Sequence, residues 1–359
     1  MAASDGNPVR VGIIGATGYV GGELIRLLAR HPAVELVGLT GRERHGDPVG
    51  HVHPHLATTG LTLDSDLGAE VDAVFLALPH GTAASRVPEF LDRGITVIDQ
   101  GPDFRLRNPA DYPRWYGFEH AHPDLLDRAV FGLPELHRDA LLGAGTARAA
   151  GTPALVGSPG CYPTATILAL APLARAGLIA DVVVDAKSGV SGAGREAKAE
   201  MLFAEVNESV RAYGIFTHRH TAEMEQELGA LARGTATEAA FAGIDFLPHL
   251  IPMTRGILAA CHVRPTRPVS QAELDDLYAE SYDAEPFVTV VEAPPATGHV
   301  LGSNHVRVFV RADERTGRIL AIGVIDNLVK GAAGQGVQAL NLVFGLPETA
   351  GLDWLPLAP

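Results

Sequence analysis

A glycine-rich turn near the start of the chain constrains the fold more than any other feature. The apolar run 9–14 leads directly into the sequence Gly-Ala-Thr-Gly-Tyr-Val-Gly-Gly at 15–22, and an amphipathic helical pattern follows over 20–30. Glycines let the backbone approach a pyrophosphate closely, and the start of the helix stabilises its charge. The place of this turn between a strand and a helix therefore predicts dinucleotide binding. The predicted contacts are Gly15, Thr17, Gly18, Tyr19 and Val20.

The end of the second predicted strand, 34–39, indicates which dinucleotide binds. An NAD site has Asp or Glu here to bond the ribose hydroxyls. This chain instead has Thr-Gly-Arg-Glu-Arg at 40–44, and the guanidinium groups of Arg42 and Arg44 suit a 2′-phosphate. Glu43 leaves the assignment ambiguous, and solvated loop charge is the competing interpretation of both arginines. We predict NADP(H).

The first half of the chain alternates strand and helix patterns. Apolar runs at 72–78, 96–99 and 154–156 predict further strands, with a helix over 83–93. This alternation predicts an α/β fold with an N-terminal Rossmann-type, doubly wound parallel sheet. Pro79 and Arg105 lie beyond strand ends, where open sheets bind ligands, and are predicted to contact cofactor and substrate respectively. The small residues of 143–151 predict a surface connection.

The second half has a different pattern. Residues 182–187 predict a strand, and 306–311 alternate apolar and polar side chains opposite a partner strand at 318–325. These patterns predict an α+β domain with a mixed sheet covered on one face, for catalysis and oligomerisation. We expect the apolar helix after residue 335 to return to the first domain. The predicted domains are therefore 1–157 with 327–359, and 158–326.

Cys161 follows a short strand and a tight Gly-Ser-Pro-Gly turn, and Pro163 suits the first turn of a helix. The helix start and basic neighbours lower a thiol pKa from about 8.5 to roughly 7 or below. A lone cysteine is more often inert packing, but the surrounding Gly, Pro and Tyr favour a nucleophile here. Cys261 lies in a strand-like run, and we predict that it is only packed in the core.

Two further clusters of residues have side chains that suit substrate binding and proton transfer. The glycine-rich loop 188–195 offers backbone N–H groups, the Ser191 hydroxyl and the Arg195 cation, which together suit the phosphate of a substrate. His218 and His220 crowd beside Arg219 and Glu223, and a histidine is needed to protonate an alkoxide near neutral pH. The sequence does not separate these two histidines. We expect eight others to be surface or loop residues: His31, His45, His51, His53, His55, His120, His122 and His137.

The composition limits the class of protein. The chain has 359 residues, 47% hydrophobic, with a formal net charge of −14 and two cysteines. The charge argues against a general nucleic-acid binder, and the cysteines give no disulfide framework. No basic-then-apolar leader and no run of 18 apolar residues is present. We therefore expect a cytoplasmic enzyme that contacts neither nucleic acid nor membrane and needs no metal.

The motifs jointly resemble the N-acetyl-γ-glutamyl-phosphate reductase family of the aspartate-semialdehyde dehydrogenase group. The resemblance covers nearly the whole chain. It rests on the motifs at residues 15–21, 132–136, 159–164, 188–195, 218–220, 248–256 and 326–335. Two departures stand out: Ser158 where many members have Asn, and Gln-Gly-Pro at 100–102 within the usual Asp-Leu-Ser-Ala-Asp-Phe-Arg pattern.

The resemblance implies NADPH-dependent reduction of N-acetyl-γ-glutamyl phosphate to N-acetylglutamate semialdehyde, with release of inorganic phosphate. Cys161 would form a thioester, and either His218 or His220 would be the acid/base. The chain would form a homo-oligomer, a dimer or tetramer, through the second domain. Further implied cofactor contacts are Ser188, Gly189, Asn327, Lys330 and Gly331, and implied substrate contacts are Ser191, Arg195, Glu223 and Arg255.

Two other functions compete with this one. A reductase of aspartyl phosphate or of the aminoadipyl analogue is a close alternative, because one methylene changes selectivity only about 10- to 200-fold. A non-catalytic NADP-binding sensor is a more distant alternative. A sensor has no need of the cysteine, the histidine pair and the glycine-rich loop together, so these features count against it.

Overall fold

The computed structural model describes residues 7–41, 44–68, 70–235 and 243–357. The strands are β1 Val9–Ile14, β2 Val34–Thr40, β3 Ala73–Leu76, β4 Thr96–Asp99, β5 Ala129–Phe131, β6 Leu155–Gly157, β7 Ile179–Ser188, β8 Arg211–Ala212, β9 Asp245–Leu250, β10 Ile257–Pro265, β11 Val288–Val290, β12 Val306–Asp313 and β13 Arg318–Ile325. The α-helices are α1 Tyr19–Leu28, α2 Val49–Val52, α3 Val87–Asp92, α4 Asp111–Tyr116, α5 Pro134–Ala149, α6 Cys161–Arg175, α7 Phe203–Val206, α8 His220–Ala232, α9 Gln271–Tyr282 and α10 Gly334–Val343.

The chain divides into two compact units. The first unit comprises Met1–Pro159 and Ala332–Trp354, and the second comprises Gly160–Gly331 and Leu355–Pro359. The helix α10 is thus part of the first unit, where it packs against α1 and α5.

The first unit is built on a six-stranded sheet in the order β2-β1-β3-β4-β6-β5. Every neighbouring pair is parallel, which confirms the predicted doubly wound sheet. Strands β3 and β4 are buried along their whole length, as expected of a parallel sheet covered on both faces. The carboxyl ends of β1, β3, β4 and β6 therefore lie along one edge of the sheet.

The prediction of a surface connection at 143–151 is wrong. Helix α5 continues to Ala149. A Cβ atom at Gly145 would lie 2.7 Å from the carbonyl oxygen of Val343, at the end of α10. The small residues therefore let two helices of the first unit approach closely, and their high glycine and alanine content does not mark a loop.

Three histidines that we expected to be surface or loop residues lie outside the helices and strands but are buried in the first unit: His31, His53 and His120. Each one makes a hydrogen bond across the unit. The Nε2 atom of His31 lies 2.9 Å from Asn341 Oδ1, that of His53 lies 2.9 Å from the Ala16 carbonyl oxygen, and that of His120 lies 2.6 Å from the Asp103 carbonyl oxygen. Their polarity satisfies buried groups instead of facing water.

The second unit is built on a seven-stranded mixed sheet, in the order β11-β12-β13-β10-β7-β9-β8. The pairs β12–β13, β13–β10 and β10–β7 are antiparallel, whereas β7–β9 and β11–β12 are parallel. The predicted pairing of 306–311 with 318–325 is confirmed. Helix α6 lies against this sheet and is buried from Tyr162 to Ala174 on all sides, so it needs no polar face.

Candidate active site

Cys161 is the first residue of α6, as the sequence predicts, and Gly160 is the N-cap. The side chain is partly exposed. A Cβ atom at Gly331 would lie 2.7 Å from the Cβ atom of Cys161, so only glycine fits against the cysteine at this position. Because Cys161 is the first residue of α6, its thiol stands at a helix start, where the N–H groups of the first turn favour a thiolate. Cys261, in contrast, is completely buried in β10, and burial raises the pKa of its thiol well above the ordinary value.

Glu223 fixes the residue that precedes the cysteine. Its side chain is completely buried, and its Oε2 atom accepts a hydrogen bond of 2.8 Å from the backbone N–H of Gly160. The other carboxylate oxygen, Oε1, is 4.0 Å from Nε2 of His220. The structure thus gives this predicted substrate contact a bond to the backbone of the cysteine turn and a place beside a histidine.

His220 lies directly against the cysteine turn. It is the first residue of α8, and a Cβ atom at Gly160 would lie 2.5 Å from its Nε2 atom. The imidazole therefore lies between Gly160, which precedes Cys161, and the buried carboxylate of Glu223. This position makes His220 a candidate for the general acid/base.

His218 has a different environment. It accepts a hydrogen bond at Nδ1 from the backbone N–H of His220, at 3.2 Å. Burial, together with the positive charge of Arg219, lowers the pKa of His218 to about 3. The ring is therefore neutral at physiological pH and helps to start α8. Aromatic rings surround it: His220 at 4.7 Å, Phe246 at 5.3 Å, Tyr213 at 5.4 Å and Tyr162 at 5.6 Å between centroids.

Two tyrosines that the sequence analysis did not single out lie in this cluster. Tyr213 donates a hydrogen bond of 3.2 Å to the hydroxyl of Tyr162, which in turn donates to the carbonyl oxygen of His249 at 3.2 Å. Burial raises the pKa of Tyr213 to about 12, and the charge of Cys161 acts in the same direction. Both phenols are therefore protonated near neutral pH. No local motif marks Tyr213, because its partners come from distant segments.

The glycine-rich loop 188–195 differs from our expectation. The backbone N–H groups of Gly189, Val190 and Ser191 donate to the carbonyl oxygens of residues 256, 253 and 254. A Cβ atom at Gly189 would lie 2.7 Å from the Thr254 carbonyl oxygen, so the glycine permits this close pairing. The prediction that these N–H groups face an anion is wrong. The exposed Arg195 side chain leaves a cation at the loop.

Three of the remaining predicted residues of the second unit, Ser191, Arg255 and Asn327, lie in one polar cluster with Asp326. The amide of Asn327 accepts from the backbone N–H of Gly256 at 2.8 Å and donates to Ser191 Oγ at 2.9 Å. Arg255 reaches the completely buried Asp326, with 3.4 Å between Nη1 and Oδ2. The further cofactor predictions in this unit are buried: Ser188, whose hydroxyl donates to the Gly189 carbonyl oxygen at 2.9 Å, and Lys330, whose Nζ lies 6.0 Å from the ring centre of Phe287.

The glycine turn of the first unit fits a dinucleotide. Gly15 has a φ of +92°, and a Cβ atom there would lie 2.1 Å from the Ala77 carbonyl oxygen. Its N–H donates to the Thr40 carbonyl oxygen at the end of β2, which fixes the turn against the sheet. Thr17, Gly18, Tyr19 and Val20 are all accessible to solvent, at the start of α1. The N–H groups of Gly15, Ala16 and Gly18 donate to backbone carbonyl oxygens of Thr40 and Gly15. The predicted donors to a pyrophosphate are therefore the first N–H groups of α1, which have no partner within the helix.

The predicted 2′-phosphate site is described only in part. Arg42, together with Glu43, lies outside the described residues. The Arg44 side chain is half exposed and pairs with Asp47, with 3.5 Å between Nη1 and Oδ2. Pro79 is exposed beyond the end of β3.

Arg105 is buried in the first unit. Its Nε atom donates to the Ser158 carbonyl oxygen at 2.6 Å, and its Nη2 atom donates to the Gln100 carbonyl oxygen at 2.9 Å. The Gln100 side chain also donates to Ser158 Oγ, at 3.1 Å, so two of the positions that depart from the family pattern are bonded to each other. Burial, then the nearby charge of Asp103, raises the pKa of Asp99 to about 7. The structure thus shows Arg105 holding the strand ends around Ser158.

The described residues also bear on metal binding and on membrane insertion. No cluster of three or more His, Cys, Asp or Glu side chains in the described ranges has the arrangement of a metal site. No helix in the same part of the chain has the length and hydrophobicity that a membrane span needs.

Comparison with known proteins identifies the family to which the chain belongs. Residues 10–144 match the NAD binding domain of semialdehyde dehydrogenases, and residues 161–327 match their dimerisation domain. The N-acetyl-gamma-glutamyl-phosphate reductase of Desulforudis audaxviator is 49% identical over 98% of this chain and all of its own length. The chain belongs to the N-acetyl-gamma-glutamyl-phosphate reductase family of semialdehyde dehydrogenases. The reductase of Moorella thermoacetica is 47% identical, with the same coverage of both chains.

Solved structures of semialdehyde dehydrogenases share the fold. Aspartate semialdehyde dehydrogenase II of Vibrio cholerae is 19% identical with a TM-score of 0.69, and 94% of this chain and 98% of that one are covered. The Candida albicans aspartate semialdehyde dehydrogenase solved with NADP is 16% identical with a TM-score of 0.67, covering 96% and 99%. Both confirm the predicted combination of a parallel-sheet domain and a mixed-sheet domain. As a member of this family, the chain has an NAD(P)-binding domain, and its dimerisation domain indicates a homo-oligomer.

Proposed function

We propose that this protein is an NADP-dependent N-acetyl-γ-glutamyl-phosphate reductase of arginine biosynthesis. The observation that carries the proposal is the arrangement at Cys161: a helix start, a glycine-only contact at Gly331 and a histidine–carboxylate pair against Gly160. Relatives with this name are 44–49% identical over 98% of the chain, which favours this substrate over its aspartyl and aminoadipyl analogues.

The thiolate of Cys161 attacks the acyl carbon of the substrate. The carbon–oxygen bond to phosphate breaks, a thioester forms and inorganic phosphate leaves. After reduction at the acyl carbon, the carbon–sulfur bond breaks, and the products are the aldehyde and a free thiolate. NADPH, when bound, supplies the hydride for that reduction. The turn from Gly15 to Val20 would hold the pyrophosphate, and Arg44 with Arg42 would select the 2′-phosphate.

His220 is the better candidate for the acid/base. Its Nε2 atom lies against Gly160 and 4.0 Å from a carboxylate oxygen of Glu223, so the imidazole stands between the cysteine turn and a buried carboxylate. His218 has a pKa of about 3 and uses Nδ1 as an acceptor, so it cannot hold a proton at neutral pH. In our proposal His220 gives its proton to the alkoxide that forms at the acyl carbon and takes it back as the carbon–sulfur bond breaks, and His218 orients the start of α8.

The substrate binds through its charged groups. Arg255, which is partly exposed and tied to Asp326, would bind the α-carboxylate, and Arg195 with Ser191 would lie near the phosphate. We further propose that the homo-oligomer is a dimer or tetramer joined through the second unit, and that the enzyme works in the cytoplasm.

The reverse reaction tests this function directly. Phosphate-dependent reduction of NADP should be fastest with N-acetylglutamate semialdehyde, compared with aspartate semialdehyde and the aminoadipate analogue. Cys161→Ser should abolish turnover while leaving NADP affinity unchanged. Faster turnover of either analogue would reassign the substrate, and turnover without added phosphate would contradict the acyl-phosphate chemistry.

A further inference from the structure

Asp326 is a carboxylate with several hydrogen bonds to which the proposed chemistry gives no role. Its side chain is completely buried at the end of β13. The Oδ1 atom accepts from the backbone N–H groups of Leu328 and Val329, at 2.8 and 3.3 Å. The Oδ2 atom accepts from the Gly302 N–H at 2.8 Å and from Arg255 Nη1 at 3.4 Å. One carboxylate thus joins three separate segments of the chain.

The next residue extends the same connection. Asn327 bonds the backbone of Gly256, which follows Arg255, and the hydroxyl of Ser191 in the glycine-rich loop. Gly331, at the end of the 326–331 segment, donates to the Asp326 carbonyl oxygen at 3.0 Å and touches Cys161. The segment therefore spans from the arginine to the nucleophile, and its start is fixed by the buried carboxylate.

We propose that Asp326 is a positioning residue, which holds the Arg255 guanidinium in the orientation that binds the substrate carboxylate. The inference rests on the proposed function, in which Arg255 is that ligand. An arginine has many rotamers, and a buried carboxylate on one edge of the guanidinium removes most of them. The arginine side chain is 26% exposed, so a substrate can reach it from solvent. Preorganisation of this kind lowers the entropic cost of binding.

A double-mutant cycle tests the proposal. Asp326→Asn should raise KM for the acyl phosphate about tenfold or more, with a smaller change in kcat and unchanged NADP affinity. Arg255→Lys should raise KM similarly, because an ammonium does not reproduce the fork of donors. In the double variant the two effects should not multiply, because Asp326 acts through Arg255. Asp326→Glu keeps the charge but displaces the arginine, and should give an intermediate KM.

The control is Glu273→Gln, which removes the charge of a partly exposed carboxylate that pairs with Arg267 in the same unit. It should change neither KM nor kcat. A wild-type KM in either Asp326 variant, or effects that multiply fully in the double variant, would overturn the positioning role. Should Asp326→Asn fail to fold in a urea titration, Asp326→Glu alone decides between these outcomes. Absence of reductase activity in the wild-type protein would instead overturn the proposed function.

Discussion

Replacing Gly331 by alanine should displace the nucleophile while leaving the fold intact. The new Cβ atom would lie 2.7 Å from Cys161 Cβ and 3.3 Å from Cys161 Cα. Carbon atoms in contact prefer a separation of roughly 3.5–4.0 Å, so the two backbone segments that carry residues 161 and 331 must move apart by about 1 Å. A misplacement of about 1 Å costs on the order of 100-fold in rate, and overpacking costs about 1–3 kcal/mol of stability.

The assay for Gly331→Ala compares three quantities: kcat for phosphate-dependent aldehyde oxidation, the rate of Cys161 alkylation and the free energy of unfolding in urea. The matched control is Gly229→Ala in α8, where an added Cβ atom meets nothing within 4 Å. Alanine in a helix is about 1 kcal/mol better than glycine, so this control should keep its activity and gain slight stability. A folded Gly331→Ala enzyme with kcat within about twofold of wild type would refute the packing argument.

Three further predictions concern other parts of the molecule. Gly15→Ala should weaken NADP binding, measured by fluorescence titration, because φ is +92° and the Cβ atom would lie 2.1 Å from a carbonyl oxygen; unchanged affinity would contradict the cofactor assignment. Iodoacetamide should alkylate Cys161 in the native protein and Cys261 only in urea, because Cys261 is completely buried with a raised pKa; equal native labelling would contradict this. The fold depresses the pKa of His218 to about 3, so its contribution to stability is complete above about pH 6.5 and falls by up to about 1.4 kcal/mol per pH unit towards pH 3. Urea titrations of His218→Asn between pH 7 and 5 should therefore show a flatter pH dependence than wild type, and an equal slope would exclude His218 as the source.

Local sequence patterns predicted the elements whose causes are local. The glycine turn before α1 and the cysteine at the start of α6 follow from short motifs, because a strand end, a glycine and a helix start are all encoded within a few residues. The parallel sheet of the first unit follows from the alternation of strands and helices.

The features that the sequence did not predict depend on distant partners. The N–H groups of 189–191 look available in the sequence, but the carbonyl groups of 253–256 accept them in the fold. His218 and His220 are equivalent as residue types, and what distinguishes them in the fold is the burial of His218 beside Arg219 and the place of His220 beside Glu223. The role of Asp326 was equally hidden, although an acid at the end of an apolar strand, directly before Asn327, is a signal that a search for buried charges would find.

The most direct test of the account is mass spectrometry of the enzyme after mixing with N-acetyl-γ-glutamyl phosphate in the absence of NADPH. We predict a mass increase of one N-acetylglutamyl group, localised to the peptide that contains Cys161, and its loss when NADPH is added. The Cys161→Ser protein should not gain this hydroxylamine-sensitive thioester. An unmodified Cys161 in an enzyme that nevertheless turns over, or acylation at Cys261, would contradict the central claim.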